Sequence, residues 1–145
     1  MTQEDKRYLQ DKLCHERDKE LQLKDLCARL PYNVRVEYNG TIFDVLGIAH
    51  GRIMVCLPFM SNTECPLIEE VKPYLFPLSS MTEEQKKEYD SIIYHNIELH
   101  CERYYNVIDV DCYEELHDFY HKNHLDYRNL IGIGLAIDAT GLNIY

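Results

Sequence analysis

A chain of 145 residues, 46% hydrophobic, is long enough to bury a core and too apolar to be disordered. Its formal net charge of −10 opposes direct binding to phosphate backbones. The opening MTQEDKRYLQDKL is charged from its third residue and no apolar run approaches spanning length, so neither a secretion signal nor a membrane helix is expected.

The six cysteines (Cys14, Cys27, Cys56, Cys65, Cys101, Cys112) contain no CxxC pair. With no export signal they predict reduced thiols and a cytoplasmic protein. The charge is unevenly placed. Residues 1–30 carry seven basic and seven acidic side chains, so the whole acidic excess lies beyond Leu30. From Glu83 to Asp118 eleven acidic residues face only Lys86, Lys87 and Arg103. A solvated helical face that keeps the protein soluble is the simpler explanation of such a run; a surface that receives a basic partner is the other.

The first thirty residues read as helix. Tyr8, Leu9 and Leu13 form a short stripe, and Leu23, Leu26, Cys27 and Leu30 form a longer one at i, i+3, i+4, i+7. HERDKE between them has nothing to pack on a core. The pattern predicts a loosely attached first helix, then a docked one ended by Pro31. From Tyr32 the period falls to two. Val34, Val36 and Tyr38 alternate with polar residues, and Asn39-Gly40 supplies the type I′ turn of a hairpin. Thr41–Ile48, His50-Gly51 and Arg52–Leu57 complete a three-stranded antiparallel meander, and Met60–Cys65 reads as a polar loop. Leu67–Leu75 offers a fourth strand, but only before Pro73, since proline cannot donate to a central ladder.

Helical spacing then returns. Thr82 with Gln85 forms a capping box, with Glu83 and Glu84 in the positive first turn. The stripe Tyr89, Ile92, Ile93, Ile97, Cys101, Tyr104 carries that helix to about Arg103. Asp111 caps a second helix, Cys112–Asn123, bearing Leu116, Phe119 and Tyr120. Asp126–Ile131 reads as a helical turn, followed by an extended end packed on the body. The fold class is α+β in a single domain. It comprises a helical segment over 1–30, a small three- to four-stranded antiparallel sheet over 31–78, and a helical half with an extended tail over 79–145. VKPYLFPLSSMTEEQ is too apolar for a linker and reads as a packed strap between sheet and helices.

Three segments, LKDLCARLPYNVRVEYNG, VKPYLFPLSSMTEEQ and DFYHKNHLDYRNLIGIGLAIDA, resemble a group of small uncharacterised proteins of gut Bacteroidales, their phages and mobile elements. The resemblance implies a phage or mobile-element origin. It implies no activity and carries no catalytic residues.

His117, His121 and His124 fall at i, i+4 and i+7, where imidazoles on one helical face converge on a metal. HDFYH has the form of HExxH with Asp for the general-base Glu, one methylene shorter. Packed histidines around Leu116, Phe119 and Tyr120 explain the segment more simply. His95 and His100-Cys101 would join the same site if the two helices were antiparallel neighbours. Asp109 and Asp111 resemble part of a magnesium site, but a helix-capping loop explains both more simply. No phosphate loop, GxSxG or basic aromatic stripe is present.

No catalytic set and no cofactor follow from these patterns. The expected function is a non-enzymatic interaction protein that binds a basic host protein surface. Such a surface would belong to a defence or nucleic-acid-handling factor, as for an anti-CRISPR-like inhibitor. The binding face would comprise Glu98, Glu102, Tyr104, Tyr105, Asp109, Asp111, Tyr113, Glu114 and Glu115. The alternatives are a metal-dependent hydrolase on the His-rich helix and a small nucleic-acid-binding module using Arg35 and Arg52.

Overall fold

The computed structural model describes the backbone of residues 1–101 and 110–145, and the side chains of residues 1–95 and 113–145. Helix α1 (Gln3–Arg29) is continuous rather than two helices. HERDKE lacks a core contact, but it also lacks glycine and proline, and its Glu, Arg and Lys are good helix formers. At its start Thr2 Oγ1 accepts from the Asp5 amide at 3.1 Å, and Asp5 Oδ2 accepts from the Thr2 amide at 2.7 Å. Residues 1–17 are all exposed, so only the C-terminal half docks. Its inward face is Gln22, Asp25, Leu26 and Arg29, whereas Cys27, assigned to the buried stripe by spacing, faces solvent.

The meander forms as expected. Strand β1 (Arg35–Tyr38) pairs antiparallel with β2 (Thr41–Ala49), and β2 pairs antiparallel with β3 (Arg52–Cys56). Asn39 and Gly40 have φ of 51° and 75°, and His50 and Gly51 have 54° and 71°, so both turns use the left-handed region that Asn and Gly tolerate. The sheet is larger than the sequence pattern indicates, with seven strands in a mixed rather than purely antiparallel arrangement. Thr63–Glu64, expected in a loop, forms β4 on β3. Strand β5 (Lys72–Pro77) runs through Pro73 instead of stopping before it. It shares only Val36↔Pro73 and Glu37↔Lys72 with β1, so the missing proline N–H costs little. Beyond the proline, other segments bond the strand. Strand β6 (Leu125–Asp126) pairs parallel with Phe76–Pro77, and β7 (Ile137–Asp138) pairs parallel with Tyr74–Leu75.

Strand alternation on β5 organises three cores. Val71 joins Leu26, Val34, Val36, Phe43, Val45, Ile53, Val55 and Ile68 under α1. Leu75 packs on the same side with Leu130, Ala136 and Leu21. Tyr74 and Phe76 point to the opposite face, where Ala139, Ile144, Ile42 and Ile137 cover them. The expected helical turn at Asp126–Ile131 is instead a strand end and a turn. Asp126 holds it by accepting from the Leu130 and Ile131 amides at 2.8 and 2.9 Å. At Gly132 a Cβ would lie 2.3 Å from the Asn129 side-chain oxygen, so a larger residue there would displace the Asn129 side chain.

Helix α2 (Glu83–Cys101) opens on the expected capping box. Thr82 Oγ1 accepts from the Gln85 amide at 3.1 Å, and Gln85 Oε1 accepts from the Thr82 amide at 2.9 Å. Helix α3 (Val110–Lys122) already includes Asp111, which therefore lies inside the helix and does not cap it as the sequence pattern suggested. The two helices run antiparallel. Tyr89 meets Phe119 at 6.1 Å, Gln85 donates to Asn123 at 3.2 Å, and Lys122 pairs with Glu88. Among the described residues, no helix is long and apolar enough to cross a membrane.

Candidate functional site

Helix α3 repeats aromatic and imidazole side chains at i, i+4, i+7, i+8, which places Tyr113, His117, Tyr120 and His121 on one face. Tyr127, delivered by the turn after β6, closes that row. Its ring stacks on Tyr120 at 4.8 Å and 15°, and on His117 at 5.3 Å and 25°. His117 lies 6.2 Å from Tyr113 and 5.9 Å from His121. The row runs from the exposed Tyr113 and His117 down to the buried His121.

Behind the row lies a charged cluster supplied by α1. Asp25 and Arg29 are fully buried, and the Asp25 carboxylate accepts from Arg29 Nε at 2.8 Å and Nη2 at 3.2 Å. Arg128 Nε approaches the same carboxylate at 3.3 Å. Arg29 Nη2 also donates to the Leu125 carbonyl at 2.7 Å, tying α1 to β6, while Nη1 finds no hydrogen-bond partner among the described residues. Both guanidinium carbons lie over the Tyr127 ring, at 5.6 Å for Arg29 and 5.0 Å for Arg128. Tyr127 Oη accepts from Arg128 Nε at 3.2 Å and lies 2.9 Å from His121 Nε2. With its acceptor role taken by the arginine, the phenol is free to donate its proton to a neutral imidazole. Burial, reinforced by Arg29, pushes His121 down to about 4, which keeps that imidazole neutral near pH 7. Burial pushes Tyr120 up to about 12.

His124 does not share this face. Helix α3 ends at Lys122, and His124 takes a left-handed φ of 54° that turns the chain into β6. Its ring stacks on Tyr145 at 3.6 Å and 9°, away from His117 and His121. Burial, with Arg29 and Arg35, holds it near 4. Among the described residues no group of three or more His, Cys, Asp or Glu converges on a metal-sized site. His95 is exposed on α2. The side chains of Glu98, His100, Cys101 and Asp111 lie outside the described residues, as do Glu102, Tyr104, Tyr105 and Asp109 altogether. The arginines of the meander are engaged: Arg35 with Asp44 at 2.9 Å and with the Ile144 carbonyl, Arg52 with the Cys65 carbonyl at 2.9 Å.

Both helices also carry exposed carboxylates. Glu114, Glu115 and Asp118 are exposed on α3, and Glu83, Glu84, Glu88 and Asp90 on α2. Glu83 pairs with Lys86 at 2.9 Å, Glu88 pairs with Lys122, and Asp118 accepts from Tyr32 Oη at 2.8 Å. No described cation lies within pairing distance of Glu84, Asp90, Glu114 or Glu115. The exposed phenol and imidazole faces of Tyr113 and His117, with Glu114 on the adjoining strip of α3, are what a guanidinium group prefers to meet.

Sequence reasoning named Tyr113, Glu114 and Glu115 for a binding face, and the structure exposes all three; it named His117, His121 and His124 as metal candidates, of which only the first two share a face. It missed Asp25, Arg29, Tyr32, Tyr127 and Arg128. One signal for the first pair was available: Asp25 and Arg29 share the i, i+4 face of Gln22 and Leu26, so the docked stripe had to bury a charge pair. No protein-family model matches this chain, and neither a curated protein nor a solved structure matches it significantly.

Proposed function

We propose that this chain is a non-enzymatic interaction protein that binds a basic surface on another protein through α2 and α3. The observation that carries the reading is the exposed Tyr113–His117 row with the exposed Glu114 on the adjoining strip of α3, a carboxylate lacking a described counter-ion. Arginine-rich surfaces offer both interactions such a row can make: a guanidinium stacked on the ring and bidentate bonds to the carboxylate. The concentrated acidic charge would steer a basic partner into contact. Glu98, Glu102, Tyr104, Tyr105, Asp109 and Asp111 extend the proposed face along the chain. The resemblance of three segments to phage and mobile-element proteins directs the proposal to a host defence or nucleic-acid-handling factor as the partner.

Affinity capture from lysate identifies the partner, and titration against it tests the reading. Affinity is expected to fall steeply with salt. Reversing Glu98, Glu102, Glu114 and Glu115 to lysine is expected to abolish binding, a loss of at least about a hundredfold. An affinity indifferent to both salt and charge reversal overturns the proposal.

A further inference from the structure

The fold leaves the first half of α1 standing free. Residues 1–17 are exposed throughout, and Tyr8, Leu9 and Leu13 keep 68%, 45% and 62% of their surface in contact with water. An isolated helix of this length is marginal in water. Its charges also cancel, since residues 1–30 hold seven basic and seven acidic side chains and the acidic excess lies in the remainder.

We propose that a second copy of this chain packs on the segment, the two helices antiparallel and crossing near Asp11. Three observations converge on that occupant and that direction. First, Lys6, Leu9, Leu13 and Glu16 follow the 3-4-3 spacing of a two-helix seam and so share one face of α1. Second, antiparallel pairing centred on Asp11 sets Leu9 against Leu13 of the second copy and Lys6 against Glu16, each contact occurring twice under the twofold axis. Parallel pairing would instead stack Lys6 on Lys6 and Glu16 on Glu16. Third, antiparallel pairing sends the two acidic bodies to opposite ends of the helix pair, while parallel pairing would press them together.

The free stretch of about 15 helical residues is roughly 22 Å long. A seam of that length with two leucine layers falls below the roughly 800 Å² per partner of a stable interface. The dimer is therefore weak, with Kd on the order of 10–100 μM. It is independent of the basic-partner proposal, since neither α2 nor α3 takes part.

Sedimentation equilibrium of the full chain from about 5 to about 500 μM reads the association directly. The average mass is expected to rise from one chain toward two. Leu9→Ala with Leu13→Ala should remain monomeric throughout with an unchanged thermal unfolding curve, because neither side chain belongs to the core. Lys6→Glu places glutamate against glutamate and is expected to weaken the dimer about tenfold. Adding Glu16→Lys to it should restore the wild-type affinity. A wild-type chain that stays monomeric, a dimer that survives the double alanine change, or a dimer indifferent to Lys6→Glu overturns the proposal.

Discussion

At the residue scale, the most consequential side chain is Asp25. It is fully buried, accepts two hydrogen bonds from Arg29 and lies 3.3 Å from Arg128 Nε. Asp25→Ala would leave the buried Arg29 guanidinium with the Leu125 carbonyl and the Tyr127 ring as its remaining partners. Losing one member of a buried pair costs about 3–5 kcal/mol, read as a lower urea midpoint at unchanged slope. Replacing Arg29 by Met in the same chain is expected to recover most of that loss, because the penalty lies in the unpaired charge and not in the absent bond. Equal losses in the single and double variants would refute this account.

At the element scale, β5 decides the architecture. Leu75 is fully buried beneath α1 and the tail, whereas Phe76 is half-buried on the other face. Leu75→Ala is therefore expected to cost about 2–5 kcal/mol, and Phe76→Ala less than a full core truncation. Near-neutral unfolding of Leu75→Ala would return the segment to the status of a linker. The elements differ in how plainly the chain announces them. The hairpins were legible because Asn39-Gly40 and His50-Gly51 supply positive φ locally, and α2 because Thr82 and Gln85 satisfy its first amides within four residues. Strands β6 and β7 were not, because a two-residue strand has no period and its partner lies far upstream on β5. The same reason hid half the candidate site. Tyr127 reaches His117 and His121 only because β6 docks on β5.

At the scale of the whole molecule, two histidines couple stability to acidity. Burial pushes both His121 and His124 down to about 4, in each case reinforced by Arg29. The unfolded chain binds these protons near pH 6.5, so between about pH 4 and 6.5 the unfolded state holds more protons than the native one. Stability is therefore fully present above that window and is lost as pH falls through it, by at most about 1.4 kcal/mol per pH unit for each histidine. Asp5, Glu69 and Asp138, whose hydrogen bonds hold them below the usual carboxylate range, act at lower pH. Urea midpoints measured from about pH 7 to about pH 4.5 are expected to decline, and His124→Phe, which keeps the stack on Tyr145, should flatten the decline. A midpoint constant over that range would contradict the burial of both rings.

The place of β5 in the sheet also sets a timetable for the nascent chain. Its antiparallel partner β1 precedes it, but the parallel partners of Tyr74, Leu75, Phe76 and Pro77 are Ile137, Asp138, Leu125 and Asp126. At the usual pace of synthesis that gap lasts several seconds, during which an apolar strand edge stands open to other chains. What leaves the ribosome next, after LSSMT, is EEQKKEYD, the charged opening of α2. The strand that three separate parts of the molecule depend on is thus among the last to be enclosed, and its nearest protection during the wait is charge.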